Sequence, residues 1–455
     1  MSLDILAQSE AAALDRLFEF LRIPSISTDP KWADDCAKAA DWLVADLATI
    51  GFDARTVNTG GHPFVIAHSP KIENAPHVLF YGHYDVQPVD PLNLWDRDPF
   101  DPAIIERNGH KAIHGRGSSD DKGQVMTFIE ACRALHADGG IPINITILIE
   151  GEEETGSPSL PAFLKEYGDE VRADIALICD TGMVDRETPS ISSQLRGLMG
   201  ELITIKAASS DLHSGLYGGA ARNPAHIMVE ALASLRNPDG SIEIEGFYEG
   251  VPELSNELQS DWQSMSDKGE KLLSDVGLSI PAGEKGRGIL EQIWARPTFE
   301  INGMWSGYTG EGFKTVLPAE ANAKISFRLV GTQDPEKIRE SFRSAMRKFI
   351  PADCEIEFHA HGGSPASHMD ITKPEFQKAK AALAGLWEND AVFIGMGGSI
   401  PIVGSFKTVL GMDSMLIGFA QASDQIHAPN EKYDLDSFQK GAQAWHKILT
   451  ALSDL

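Results

Sequence analysis

The chain has 455 residues, 66 acidic and 39 basic, for a formal net charge of −27. That excess argues against a nucleic-acid partner, because binding phosphates needs clustered lysine and arginine. The composition, 42% apolar and 23% charged, is that of a soluble globular protein long enough for two or three domains, and no apolar run approaches the roughly 18 residues of a membrane span. Met1-Ser2-Leu3-Asp4 lacks a basic region followed by an apolar core, so no signal peptide is expected. Cys36, Cys132, Cys179 and Cys354 form no CxxC pair. Three of them sit in apolar or helical contexts, as reduced core residues of a cytoplasmic protein do.

Residues 9–22 carry Leu14, Leu17, Phe18 and Leu21 at helical spacing, and Ile23-Pro24 ends the helix. A second helix over about 34–50 has Trp42, Leu43 and Leu47 on one face and stops at Gly51. Strands are predicted at 64–67 and 77–81. The latter stops at Gly82 and presents His83 and Asp85, two residues apart and on one side if the extended form continues. A carboxylate there can take one ring N–H of the imidazole and leave the other nitrogen for a metal. After a loop rich in Asp and Pro, the segment Gly115-Arg116-Gly117-Ser118-Ser119-Asp120-Asp121-Lys122-Gly123 opens a helix that runs to Gly139-Gly140. The strand 143–149 ends in Glu150-Gly151-Glu152-Glu153-Glu154-Thr155-Gly156, a helix with Leu160, Phe163 and Leu164 comes next, and the strand 175–179 ends at Asp180. Strand and helix alternate, which predicts an α/β unit with a largely parallel sheet.

After Arg196-Gly197 the pattern becomes amphipathic. Strands are expected at 199–208, 298–301 and 321–329, with helices from Asn223-Pro224 to Leu235 and over about 334–349. This suggests an inserted two-layer α+β domain over 198–362. From about Gly363 the α/β pattern returns, with a helix at 373–387, a strand at 415–419 and a last helix from Asp434. The outer domain is therefore discontinuous, 1–197 plus 363–455.

His83, Asp120, the run Glu152–Glu154 and Asp180 each fall at or beyond the apparent C-terminal end of a strand, where open α/β sheets bind ligands. A solvated, acidic helix start would also explain the glutamate run, but not why it comes directly after a buried strand. Carboxylates crowded into one crevice repel each other unless cations neutralise them. Histidine and carboxylate donors without cysteine suit Zn²⁺ or Mn²⁺ in a catalytic site. The number of donors suits two ions better than one. Such a pair needs a bridging carboxylate, a bridging water that becomes hydroxide, and a non-ligating glutamate to take its proton.

Gly82-His83-Tyr84-Asp85-Val86-Gln87-Pro88, the 115–123 segment, Glu150 to Ser157 and Asp180 together resemble the carnosinase branch of a metallopeptidase family. That family also includes aminoacylase, acetylornithine deacetylase and succinyl-diaminopimelate desuccinylase. The resemblance spans nearly the whole chain. It implies that His83 and Asp180 hold one metal, that Asp120 bridges, and that Glu154 and His427 hold the other. It further implies that Asp85 orients His83, that Glu153 is the general base, and that the Asp120–Asp121 peptide is cis. His427, in Asp424-Gln425-Ile426-His427-Ala428-Pro429-Asn430-Glu431, is chosen among 14 histidines by this match alone. In the middle domain, Asp211-Leu212-His213-Ser214-Gly215 resembles the segment whose histidine reaches the other subunit's site and stabilises the oxyanion. Lys314-Thr315-Val316 and Ser326-Phe327-Arg328 resemble lid elements, with Arg328 holding a substrate carboxylate. Gly398-Ser399-Ile400-Pro401 resembles a substrate loop, although Met396 stands where carnosinases often carry a charge.

The expectation is a cytoplasmic homodimer, paired through its lid domain, with no nucleic-acid or membrane partner. It would hydrolyse dipeptides with two divalent ions, Zn²⁺ favoured over Mn²⁺, by a bridging hydroxide. An N-acyl amino acid deacylase or carbamoylase is the nearest alternative. A non-catalytic metal-binding or interaction protein on the same scaffold is the alternative of another class.

Overall fold

The apolar runs become the middle of one mixed sheet, in a computed structural model that describes residues 2–455 apart from Asn108 and Ser399. The chain divides into two units, Met1–Ser193 with Met369–Phe393 and Ser405–Leu455, and Gln194–His368 with Ile394–Gly404.

In the first unit the sheet order is Asp53–Val57, Phe64–His68, Asn144–Glu150, His77–His83, Ile175–Ile178, Asp413–Leu416, Ser190–Leu195. The middle pairings are parallel and the outer ones antiparallel. Central parallel strands are covered on both faces, so they read as unbroken apolar runs. On one face Phe80 stacks on Phe128 at 3.7 Å and meets Trp445 edge-on at 5.8 Å, which seats the helices Lys122–Ala137 and Leu435–Leu452. Phe64 stacks on Phe163 at 4.3 Å and seats the helix Leu160–Val171. Glu150 and His83 are register partners at the ends of adjacent parallel strands, so the loops leaving these two strands emerge at the same sheet edge.

One small element has no counterpart in the periodicity of the sequence. Ala103–Arg107, His110–His114 and Lys432–Asp434 form a three-stranded antiparallel sheet. Strands of three to five residues leave too short an alternation to read. The pairing Lys432↔His114 lays the segment after His114 beside the segment before Lys432. Asp120 therefore leaves this small sheet rather than a strand of the main one.

The second unit has a four-stranded antiparallel sheet, Thr298–Ser306, Glu320–Leu329, Gly197–Lys206, Glu355–Ser364. Alternate residues Met199, Ile203 and Ile205 join Phe327 from the neighbouring strand, and the helices Pro224–Ser234 and Pro335–Arg347 add Met228 and Phe342, in one apolar core. The stretch before Thr298, left unassigned by periodicity, carries the helices Asn256–Ser264, Ser266–Asp275 and Ile289–Trp294. Among the described residues no helix is long and apolar enough to cross a membrane.

Candidate functional site

Three parallel strands deliver the donors to one edge. His83 is the last residue of its strand, Glu153 and Glu154 open a 3-10 turn just beyond Glu150, and Asp180 lies two residues past Ile178. Asp85 ties the first two groups together. Its side chain accepts the amide N–H of Glu153 at 3.2 Å and of Glu154 at 3.0 Å. Its backbone carbonyl lies 3.0 Å from His83 Nδ1, and its carboxylate 3.4 Å. With Nδ1 engaged by Asp85, Nε2 is the nitrogen left to act. It lies 3.0 Å from Asp120 Oδ1 and 4.0 Å from Asp180 Oδ2. The other oxygen of Asp120 is 2.9 Å from His427 Nε2, which is 3.2 Å from Glu154 Oε2. The Asp120–Asp121 peptide is cis.

Two triads result. The donor atoms of His83, Glu153 and Asp180 lie within 4.8 Å of one another, as do those of Asp120, Glu154 and His427. Ligands about 2.0–2.2 Å from zinc stand roughly 3.2–3.6 Å apart, so small side-chain shifts would bring each triad around one ion. The ion pairs that Asp120, Glu154 and Asp180 make among the described residues are with the two imidazoles. Glu154 Oε1 is buried and accepts no hydrogen bond. Buried carboxylate oxygens without a partner are costly, and a divalent cation would satisfy them. The residues fit two cation sites.

The electrostatics point the same way. Burial and then the charge of Asp120 push the Asp180 carboxyl well up. Burial also works against the Asp120 carboxylate, but hydrogen bonds with His427 and His83 outweigh it and hold that carboxyl well down. The His427 imidazole, bonded first to Asp120 and then to Glu154, is pushed up to about 10. Burial raises Glu153, as it does Glu150 and Asp121, each of these two to about 7. So much negative charge demands compensation, and protons supply it where cations do not.

Residues 79–451, well over half of the chain, match the model of peptidase family M20/M25/M40. The chain belongs to this family. Among its M20 relatives, the Cys-Gly metallodipeptidase of Schizosaccharomyces pombe is 29% identical over 97% of this chain and 96% of its own. The human Beta-Ala-His dipeptidase is 27% identical over 86% of this chain and 78% of its own. Among solved structures, an M20 family metallo-carboxypeptidase from Sulfolobus solfataricus superposes with a TM-score of 0.78 at 30% identity, covering 97% of this chain and 99% of that one. The chain is thus a peptidase of the M20 family, and such relatives agree with the carnosinase-like resemblance.

The remaining expected residues of this M20 peptidase lie in the second unit. His213 pairs with Val316 in a two-stranded ribbon, and its Nδ1 accepts the Gly215 amide at 3.0 Å. The Thr315 carbonyl accepts the amide of Ser214 at 3.1 Å, so His213 and Thr315 are neighbours. Arg328 sits on the strand Glu320–Leu329, opposite Leu198. Ser399 lies outside the described residues. Other residues at the centre went unnoticed in the sequence. Gln87 donates to Glu154 Oε2 at 2.6 Å, and the buried Asp121 accepts the His83 amide at 3.2 Å. Glu431 escaped too. Gln87 and Asp121 stand inside the motifs that carry the family resemblance and Glu431 in the His427 segment matched to it, and that adjacency was the available signal.

Proposed function

We propose that this M20 peptidase hydrolyses dipeptides with two divalent cations, zinc favoured over manganese. The observation that carries the reading is the single carboxylate of Asp120, with one oxygen 3.0 Å from His83 and the other 2.9 Å from His427. His83 and Asp180 would hold one ion, Glu154 and His427 the other, and Asp120 would serve both. Bound there, the ions would polarise the scissile carbonyl and acidify the attacking water. Asp85 keeps His83 in the tautomer that leaves Nε2 unprotonated. Glu153, raised by burial, takes the water's proton and passes it to the departing amine.

A lid and dimerisation domain over 198–362 would be inserted between catalytic segments 1–197 and 363–455. Arg328 would grip the C-terminal carboxylate, Thr315 and Ser399 would add contacts, and the partner subunit's His213 would steady the oxyanion. In support, Leu216 beside the His213 ribbon is 77% exposed and Phe313 before Thr315 is 93% exposed, apolar side chains that a partner would cover. Relatives named for Cys-Gly and Beta-Ala-His favour dipeptides as the class. The four thiols, free and mostly buried, suit the cytoplasm.

The test is a dipeptide library offered to metal-stripped protein reconstituted with Zn²⁺ or Mn²⁺, beside N-acetyl and N-carbamoyl amino acids. Dipeptide cleavage dependent on the added ion is expected. Turnover of the N-acyl compounds alone would overturn the reading in favour of a deacylase, and turnover insensitive to chelators would remove the cations from it.

A further inference from the structure

The loop that bears His427 is held by more than its own turn, in which the Ala428 amide donates to the Gln425 carbonyl at 2.9 Å. Gln425, His427 and Asn430 have φ of +58°, +61° and +65°, the left-handed region, which few residues other than glycine occupy, although histidine and asparagine do so more readily than most. The His427 side chain is 53% exposed, so packing does not fix the imidazole. Besides its contacts with Asp120 and Glu154, its position depends on what pins the loop down.

Glu431 is that pin. Its side chain is fully buried, and four hydrogen bonds converge on it from the segment leading to Asp120. Oε2 accepts from Arg116 Nη1 at 2.8 Å and the Gly117 amide at 2.9 Å. Oε1 accepts the amides of Ser119 at 2.9 Å and Asp120 at 3.1 Å. Consecutive amides aimed at one anion make a nest, here filled by the chain's own carboxylate. Further ties join the same strips, among them the Gly115 amide to the Glu431 carbonyl at 3.1 Å. Ser119 Oγ donates to Asp424 Oδ2 at 2.8 Å, and Arg116 Nη2 donates to the Ala428 carbonyl at 3.4 Å.

Resting on the two-cation reading, we propose that Glu431 is a positioning residue for the second cation site. By clamping the Asp120 segment to the His427 loop it sets the distance between two donors of the Asp120, Glu154 and His427 triad. Its loss loosens the ion held there more than the ion held by His83 and Asp180. His83 is anchored independently of this clamp, by its strand and by Asp85.

The experiment uses the full chain, stripped of metal and titrated with Mn²⁺ by calorimetry, with bound metal counted by mass spectrometry after gel filtration. Glu431→Gln keeps the shape but replaces one acceptor oxygen with a donor. The wild type should take up two ions. The variant should keep one at near-native affinity and bind the other about 10–100-fold more weakly, with dipeptide turnover restored by excess Mn²⁺. Ser119→Ala, which removes one tie, should weaken the same ion by less, and it decides the matter if Glu431→Gln does not fold. The proposal is overturned if the folded variants bind both ions as the wild type does, or lose both in parallel. A wild type that binds one ion but not two would sink the two-cation reading, and this inference with it.

Discussion

Two buried carboxylates, Glu201 of the second unit and Asp120 of the first, are treated in opposite ways. Glu201, on a strand of the second unit, is met by Arg339 Nη1 at 2.5 Å and by Arg343 Nη2 at 2.6 Å and Nε at 3.1 Å. Both of its oxygens are satisfied by guanidinium groups that cannot lose their charge. Asp120 in the first unit has imidazoles where Glu201 has guanidinia, and beside it Glu154 keeps a buried oxygen with no partner. A buried acid closed off by arginine is complete and structural. One faced by imidazoles can exchange their protons for cations.

Four experiments would break or sharpen that contrast. The largest effect is expected at Glu153, whose task is proton transfer rather than shape. Glu153→Gln should lower kcat by about 10²–10⁴-fold while metal analysis still finds two ions, and a variant at full activity would remove Glu153 from the chemistry. Next comes the structural carboxylate. Glu201→Ala strands two arginines and should cost about 3–5 kcal/mol in urea unfolding, with metal uptake unchanged. Metal loss in a folded Glu201→Ala protein would erase the distinction between the two acids.

Cations, in turn, should stabilise the fold. At an ion concentration about 100-fold above Kd, the gain should be roughly 2.7 kcal/mol, read as a rise in Tm that a chelator reverses. The smallest effect concerns protons. Because Asp120 and then Glu154 push His427 up to about 10, its imidazole carries a proton at neutral pH in metal-stripped protein, and a cation must displace it. Affinity should therefore rise with pH until that value is passed. Calorimetry in buffers of different ionisation heat should show proton release, and affinity independent of pH would contradict the assignment.

Much of the first unit was legible because parallel strands buried on both faces write themselves as apolar runs. His77–His83, Asn144–Glu150 and Ile175–Ile178 are such runs, and chain continuity places the polar residues just past each end. The strip 103–114 was not legible, since its strands are only five residues long and come directly after a loop rich in Asp and Pro. Nor was the helical stretch before Thr298, where the helices Asn256–Ser264 and Ser266–Asp275 bury few side chains.

By itself, then, the sequence determined the strand order of chemistry: which residue types leave which strand, and that they are imidazoles and carboxylates without thiolates. Periodicity is a local property, so it reports what a strand or helix presents and nothing about what meets it. Only tertiary structure decided that the His427 loop joins Asp120, through the pairing of Lys432 with His114. Only there does Glu431 find its donors, more than three hundred residues away along the chain. Such a meeting is fixed by the summed packing of everything between, which no window of neighbouring residues records.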